Sequence, residues 1–154
     1  EPAPLAPMRM YARGGDGPEV SFVEASAEDA LDVADDQIDP LLEHGWRPED
    51  VALLTTGARH HEQVALQESE GQLGYWRTFW DKDCVFYGHV LGCKGLERKV
   101  VVLCVNERTP RERARERLYV GLSRATDKLV VVGPRAVILE MGGPAVARML
   151  GITG

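Results

Sequence analysis

The sequence has no apolar run approaching the roughly 20 residues that a membrane-spanning helix needs, so none of its segments reads as a helical anchor. It opens on no signal-peptide pattern, and it begins Glu1-Pro2-Ala3-Pro4 rather than with Met, so it reads as a fragment or a processed product. Cysteine is scarce: Cys84, Cys93 and Cys104 are the three present, in no CxxC arrangement. An odd number of thiols without a secretory signal favours a reducing, cytoplasmic setting over a disulfide framework. His60 and His61 are adjacent and have no cysteine within ligand spacing, so no metal site is expected. There is no internal repeat and no low-complexity tract. The phosphate-cradling pattern GxxxxGK[ST] is missing as well. Gly14-Gly15-Asp16-Gly17 has neither its length nor its ending, so the chain is not expected to grip a nucleotide's phosphates by itself.

What is present describes one globular domain. The 154 residues are 44% hydrophobic and 27% charged, enough for a single core. The net charge of −6 is unevenly spread. Acidic residues crowd Asp16 to Asp50, where Arg47 is the only cation, and they read as a solvated face. From Lys94 to Lys128 ten Lys or Arg face five Asp or Glu, so this half can meet phosphate although the whole chain is acidic.

Residues 1–18, rich in Pro and Gly, read as a flexible lead-in, with one domain over 19–154. Val20 to Ala25 is a strand candidate. Ser26 then offers a helix cap before Leu31, Ala34, Ile38, Leu41 and Leu42 at helical spacing, with Pro40 expected to kink the helix and Gly45 to end it. Val51 to Thr55 is a compact apolar strand, and residues 58–82 read as irregular helix. Cys84 to Val90, Lys99 to Val105 and Lys128 to Gly133 are β-rich. The last two lack alternation, as strands of a parallel sheet buried on both faces do. Thr109, Pro110 and Glu112 spell a capping box for a helix bearing Ala114, Leu118, Leu122 and Ala125. Pro134 to Leu150 closes the chain as one or two helices broken at Gly142-Gly143. Alternating strands and helices of this kind predict an α/β, three-layer fold around a mostly parallel sheet of about five strands.

Two segments concentrate polar and glycine residues beside buried strands, where open α/β sheets bind ligands. One is Val90-Leu91-Gly92-Cys93-Lys94-Gly95-Leu96-Glu97, followed by the strand from Val100. The other is Leu118-Tyr119-Val120-Gly121-Leu122-Ser123-Arg124-Ala125, followed by Leu129 to Val132. The pair "KGLE" and "LYVGLSRA", in this order, resembles motifs V and VI of superfamily-one DNA helicases of the UvrD, Rep and PcrA kind. Val51 to Leu54 resembles the strand of motif IV more weakly.

The resemblance implies the second, C-terminal RecA-like domain of an ATP-dependent helicase. ATP and Mg²⁺ would be held mainly by an N-terminal RecA-like domain of the same protein, and single-stranded DNA would be the track. Arg124 matches the motif VI arginine that reaches the γ-phosphate; its planar donor fork suits a transferring phosphoryl group. Glu97 matches the motif V glutamate near the nucleotide sugar, and Gly95 permits close backbone approach. Lys94 and His89 are the candidate DNA contacts.

Two places depart from the family pattern. The usual Thr-x-His before the lysine is replaced by His89 and Leu91, and Thr55 follows the motif IV strand where an arginine is common, with Arg59 four residues on. These departures also fit a different class of protein, a non-catalytic interaction module derived from a helicase domain. In it the aromatic residues Tyr75, Trp76, Phe79 and Trp80, which could stack on bases but more often read as core or a domain interface, would bind a protein. A chance likeness predicts instead that the Lys94 to Glu97 loop and Arg124 lie on different faces of the sheet.

Overall fold

Continuous apolar runs become strands covered on both faces. The computed structural model describes residues 17–81 and 83–152, so most of the expected lead-in lies outside the described residues. In chain order the elements are β1 (Glu19–Glu24), α1 (Ala30–Asp36), α2 (Ile38–Glu43), a 3-10 turn (Pro48–Asp50), β2 (Val51–Thr55), α3 (His61–Trp80), β3 (Phe86–His89), a second 3-10 turn (Val90–Cys93), β4 (Arg98–Cys104), α4 (Ala114–Leu122), β5 (Ala125–Gly133) and α5 (Arg135–Leu150). The strands form one sheet in the order β1-β5-β4-β2-β3, and every pairing is parallel. This is the expected α/β, three-layer arrangement around a parallel sheet of five strands.

Residues two apart share a face of the sheet, and this divides the core into two slabs. Ala52, Leu54, Val101, Leu103, Leu129 and Val131 pack under α3, α4 and α5 together with Tyr75, Leu118, Leu122, Ile138 and Met141. Val51, Leu53, Val100, Val102, Val130 and Val132 pack under α1 and α2 with Ala30, Ala34, Ile38 and Leu41. β4 and the second half of β5 therefore read as unbroken hydrophobic stretches because both slabs claim them. Gly121 lets α4 settle on the sheet: a Cβ there would lie 2.5 Å from Leu103 Cδ1.

Helix ends depart from expectation in instructive ways. The first helical segment divides at Gln37, not at Pro40. Pro40 occupies the first turn of α2, where a missing N–H breaks no helical bond. Ser26 still accepts the Asp29 amide at 3.2 Å, and Gly45 leaves α2 with φ +105°. α3 changes direction at Gly71 (φ +72°) and α5 at Gly143 (φ +75°) ahead of Pro144. The Thr109-Pro110 capping box is unused: α4 starts at Ala114, after Arg113 in a left-handed conformation. A buried ion pair accounts for this. Arg117 donates to Glu107 at 2.6 Å and to the carbonyl of Glu112, so the intervening residues fold back over the end of β4 instead of starting a helix there.

Candidate functional site

Gly95, Glu97 and Arg124, three of the residues singled out in the sequence, gather at the amino ends of β4 and β5. These two strands start side by side, with Arg98 paired to Ala125, and the Arg98 amide donates to the Arg124 carbonyl at 3.0 Å. Glu97 and Arg124 thus leave the sheet from neighbouring positions, and both line one small pocket with Leu96, Cys93, Phe79 and Arg98. That pocket holds about 10 Å³, room for about one water molecule. A nucleotide could not fit inside it and would have to lie across its mouth. The Lys94 to Glu97 loop and Arg124 share one rim of the sheet, which removes the chance-likeness alternative on its own prediction.

Local structure explains each placement. The 3-10 turn after β3 ends at Cys93, whose carbonyl accepts the Leu96 amide at 3.0 Å and Arg124 Nη1 at 3.2 Å. Gly95 supplies φ +85° in this turn, and nothing lies within 4 Å of where a Cβ would be, so glycine is required by backbone conformation and not by crowding. Arg124 ends the turn after α4. Its Nη2 donates to Ser123 Oγ at 3.0 Å, while Nε is buried without a partner. The guanidinium is half-buried, and among the described residues its hydrogen bonds go to neutral oxygens only and no carboxylate compensates its charge. Glu97 is exposed. Burial holds the Cys93 thiol beneath them up at about 11, so it stays neutral.

Lys94 and His89 are not brought together. Lys94 reaches along the α4 surface to Glu116 at 2.7 Å, and Arg113 binds the same carboxylate at 2.8 Å. Hydrogen bonds from Arg113 first and Lys94 second hold Glu116 down at about 2. His89 lies at the carboxyl end of β3. Its Nε2 meets the Thr56 carbonyl at 3.1 Å and its Nδ1 accepts the Leu91 amide at 3.2 Å, so both ring nitrogens serve the fold. Burial lowers its pKa.

Glu97 and Arg124 sit at the amino ends of β4 and β5, where the order of motif and strand in the sequence puts them. The carboxyl ends have a feature of their own. The chain leaves β2 toward β3 and leaves β4 toward β5, so a crevice opens between β2 and β4, the kind of switch point at which α/β sheets commonly bind ligands. A cleft of about 420 Å³ lies there, lined by Thr56, Gly57, His89, Arg111, Arg113 and Arg117 among others. Arg59 follows β2 on this side and donates to Gln67. It therefore follows the strand end opposite to the one that Arg124 precedes.

Residues 89–132, which hold both Glu97 and Arg124, match the family described as UvrD-like helicase C-terminal domain. This segment carries the UvrD-like signature. The chain is also similar in structure to the C-terminal domain of a possible DNA helicase from Lactobacillus plantarum WCFS1, with 20% sequence identity, 96% of this chain and 90% of that chain covered, and a TM-score of 0.48. No curated protein matches it.

Within the UvrD-like segment the sequence reading misses two buried arginines. Arg117, within a helix where arginines and glutamates interleave, forms the buried pair with Glu107. Arg98, the residue after Glu97, is 7% exposed and donates to the carbonyls of Pro48, Glu49, Val51 and Phe79 while lying 4.6 Å over the Phe79 ring. An arginine set directly between a loop motif and an apolar strand was the available signal.

Two further features sit outside the segment. Asp35, His60 and His61 bring potential ligand atoms within 4.8 Å of one another. The Glu62 amide donates to His60 Nδ1 at 2.9 Å, which leaves Nε2 to carry the proton and donate to Asp35 Oδ1 at 2.8 Å. With both nitrogens engaged, His60 caps α3 and has no lone pair free for a cation. The aromatic stripe is divided: Tyr75 is buried, Trp76 and Phe79 are half-buried, and Trp80 is 75% exposed. No helix among the described residues is long and apolar enough to cross a membrane.

Proposed function

We propose that this domain is the C-terminal motor half of an ATP-dependent UvrD-like DNA helicase. Arg124 is its arginine finger, and Glu97 and Gly95 are its other contacts with nucleotide. The observation that carries this reading is the joint placement of an uncompensated, half-buried guanidinium and an exposed carboxylate at two adjacent strand starts.

Such a pair suits one ligand with two chemistries. The guanidinium fork can bind equatorial oxygens of a phosphoryl group in transfer, and its rigid backing by Cys93 and Ser123 means little reorganisation as charge develops. The carboxylate can accept hydrogen bonds from ribose hydroxyls. Neither group cradles the α- and β-phosphates or binds Mg²⁺, and those tasks fall to an N-terminal RecA-like domain bearing the phosphate loop. Nucleotide then lies between two bodies, and its binding and hydrolysis close and open the cleft.

Single-stranded DNA would run along the opposite, carboxyl rim, where the basic cleft near His89 and Arg111 lies. Lys94 reaches DNA only by releasing Glu116, which makes it the weaker of the two candidate contacts. The test is Arg124→Ala in the full-length protein. DNA-stimulated ATP turnover should fall on the order of 10³-fold or more, and Arg124→Lys should not restore it because an ammonium lacks the planar fork. Unchanged turnover overturns the assignment.

A further inference from the structure

The amino rim continues past Glu97 to an exposed tryptophan that no role so far described uses. Arg98 fixes where the end of α3 lies. Its Nη2 donates to the carbonyl of Phe79, and its guanidinium stacks on the Phe79 ring while Nη1 binds the carbonyls at the start of β2. Phe79 in turn meets Phe86 edge to face at 5.1 Å and Trp80 edge to face at 4.8 Å. Phe79 lines the same pocket as Glu97 and Arg124. The next residue, Trp80, is therefore held at this rim with three-quarters of its surface in water.

The order along the rim has chemical meaning. Arg124 stands before β5, Glu97 before the adjacent β4, and the Arg98-anchored end of α3 beside the start of β2, the next strand over. Two strand spacings cover about 10 Å. A phosphate-binding guanidinium, a ribose-binding carboxylate and an open aromatic face thus follow one another in a line.

We infer that Trp80 is the nucleobase contact of the proposed ATP site, its indole stacking on the adenine. This rests on the assignment of Arg124 and Glu97 to phosphate and sugar. An aromatic face discriminates little among bases, so the site should accept other purine triphosphates nearly as well.

The experiment compares two probes in the full-length protein: ATP, and inorganic tripolyphosphate, which carries the phosphates but no base. Trp80→Ala should raise the KM for ATP roughly 5- to 150-fold, the loss expected of one base–aromatic stack. Competitive inhibition by tripolyphosphate should be unmoved, and Trp80→Phe should recover most of the loss. Leu73→Ala, which removes the other large exposed apolar side chain of α3, should leave the KM unchanged. An unaltered KM in Trp80→Ala, or an equal weakening of ATP and tripolyphosphate, overturns the inference. Either result leaves Arg124 standing, because its own test reads kcat and fails independently.

Discussion

The amide of Arg98 donates to the carbonyl of Arg124 at 3.0 Å, and the Arg98 side chain meanwhile binds the carbonyls of Pro48, Glu49, Val51 and Phe79. One residue thereby ties five backbone points to the place where Glu97 and Arg124 leave the sheet. Arg98→Ala should strip four carbonyls of a shared donor and open a void beside Phe79 and Phe86. We expect a loss of about 3 kcal/mol or more, read by denaturant unfolding. Arg98→Lys should recover only part of it, since three donors on one nitrogen cannot span carbonyls on two elements.

The buried pair of Glu107 and Arg117 supports a second expectation. Side-chain exposures of 1% and 8% mean that removing one partner strands the other without water. Glu107→Ala should cost about 3–5 kcal/mol, whereas replacing both residues with apolar side chains of similar volume should cost far less. A double-mutant cycle in urea separates the two outcomes.

Stability should also depend on pH through His89. Burial lowers its folded-state pKa, so below about 6.5 the unfolded chain binds a proton that the folded chain refuses. The stabilising contribution is complete above the unfolded value and is lost as pH falls toward the folded one. Unfolding free energy should therefore decline between pH 7.5 and pH 5.5, and His89→Gln should flatten that decline. An equal slope in the variant assigns the pH dependence elsewhere.

Gly121 offers a test of packing. An added Cβ would meet Leu103 Cδ1 at 2.5 Å and Val90 Cγ1 at 3.1 Å, with α4 pressed against β4. Gly121→Ala should destabilise by about 1–3 kcal/mol despite alanine's better helix propensity, as a lowered Tm would show.

Much of this architecture was legible beforehand. β2 matches its predicted span residue for residue, because four apolar residues and a threonine between a Pro-Glu-Asp turn and a Thr-Gly stretch leave little choice. The helix from Pro134 broke where Gly142-Gly143 precedes Pro144. Helix starts were less legible, since the Thr109-Pro110 signal is local while the Glu107–Arg117 pair that overrides it spans ten residues and forms only in the packed domain. At the rim, "KGLE" and "LSRA" could be found by pattern. The position of Arg98 was marked by the loop and strand on either side of it, but its partners were not, because α3 and the start of β2 bring them only in the folded domain. Which strands stand side by side is likewise a property of the assembled sheet.

The pocket beneath Arg124 and Glu97 admits one water molecule and no more. A surface that offers binding groups without an enclosure must borrow its second wall, and it loses its ligand whenever that wall withdraws. Under the proposed function, affinity becomes a reading of separation: the tightness with which nucleotide is held reports how far apart two bodies stand. That dependence lets chemical turnover be converted into displacement.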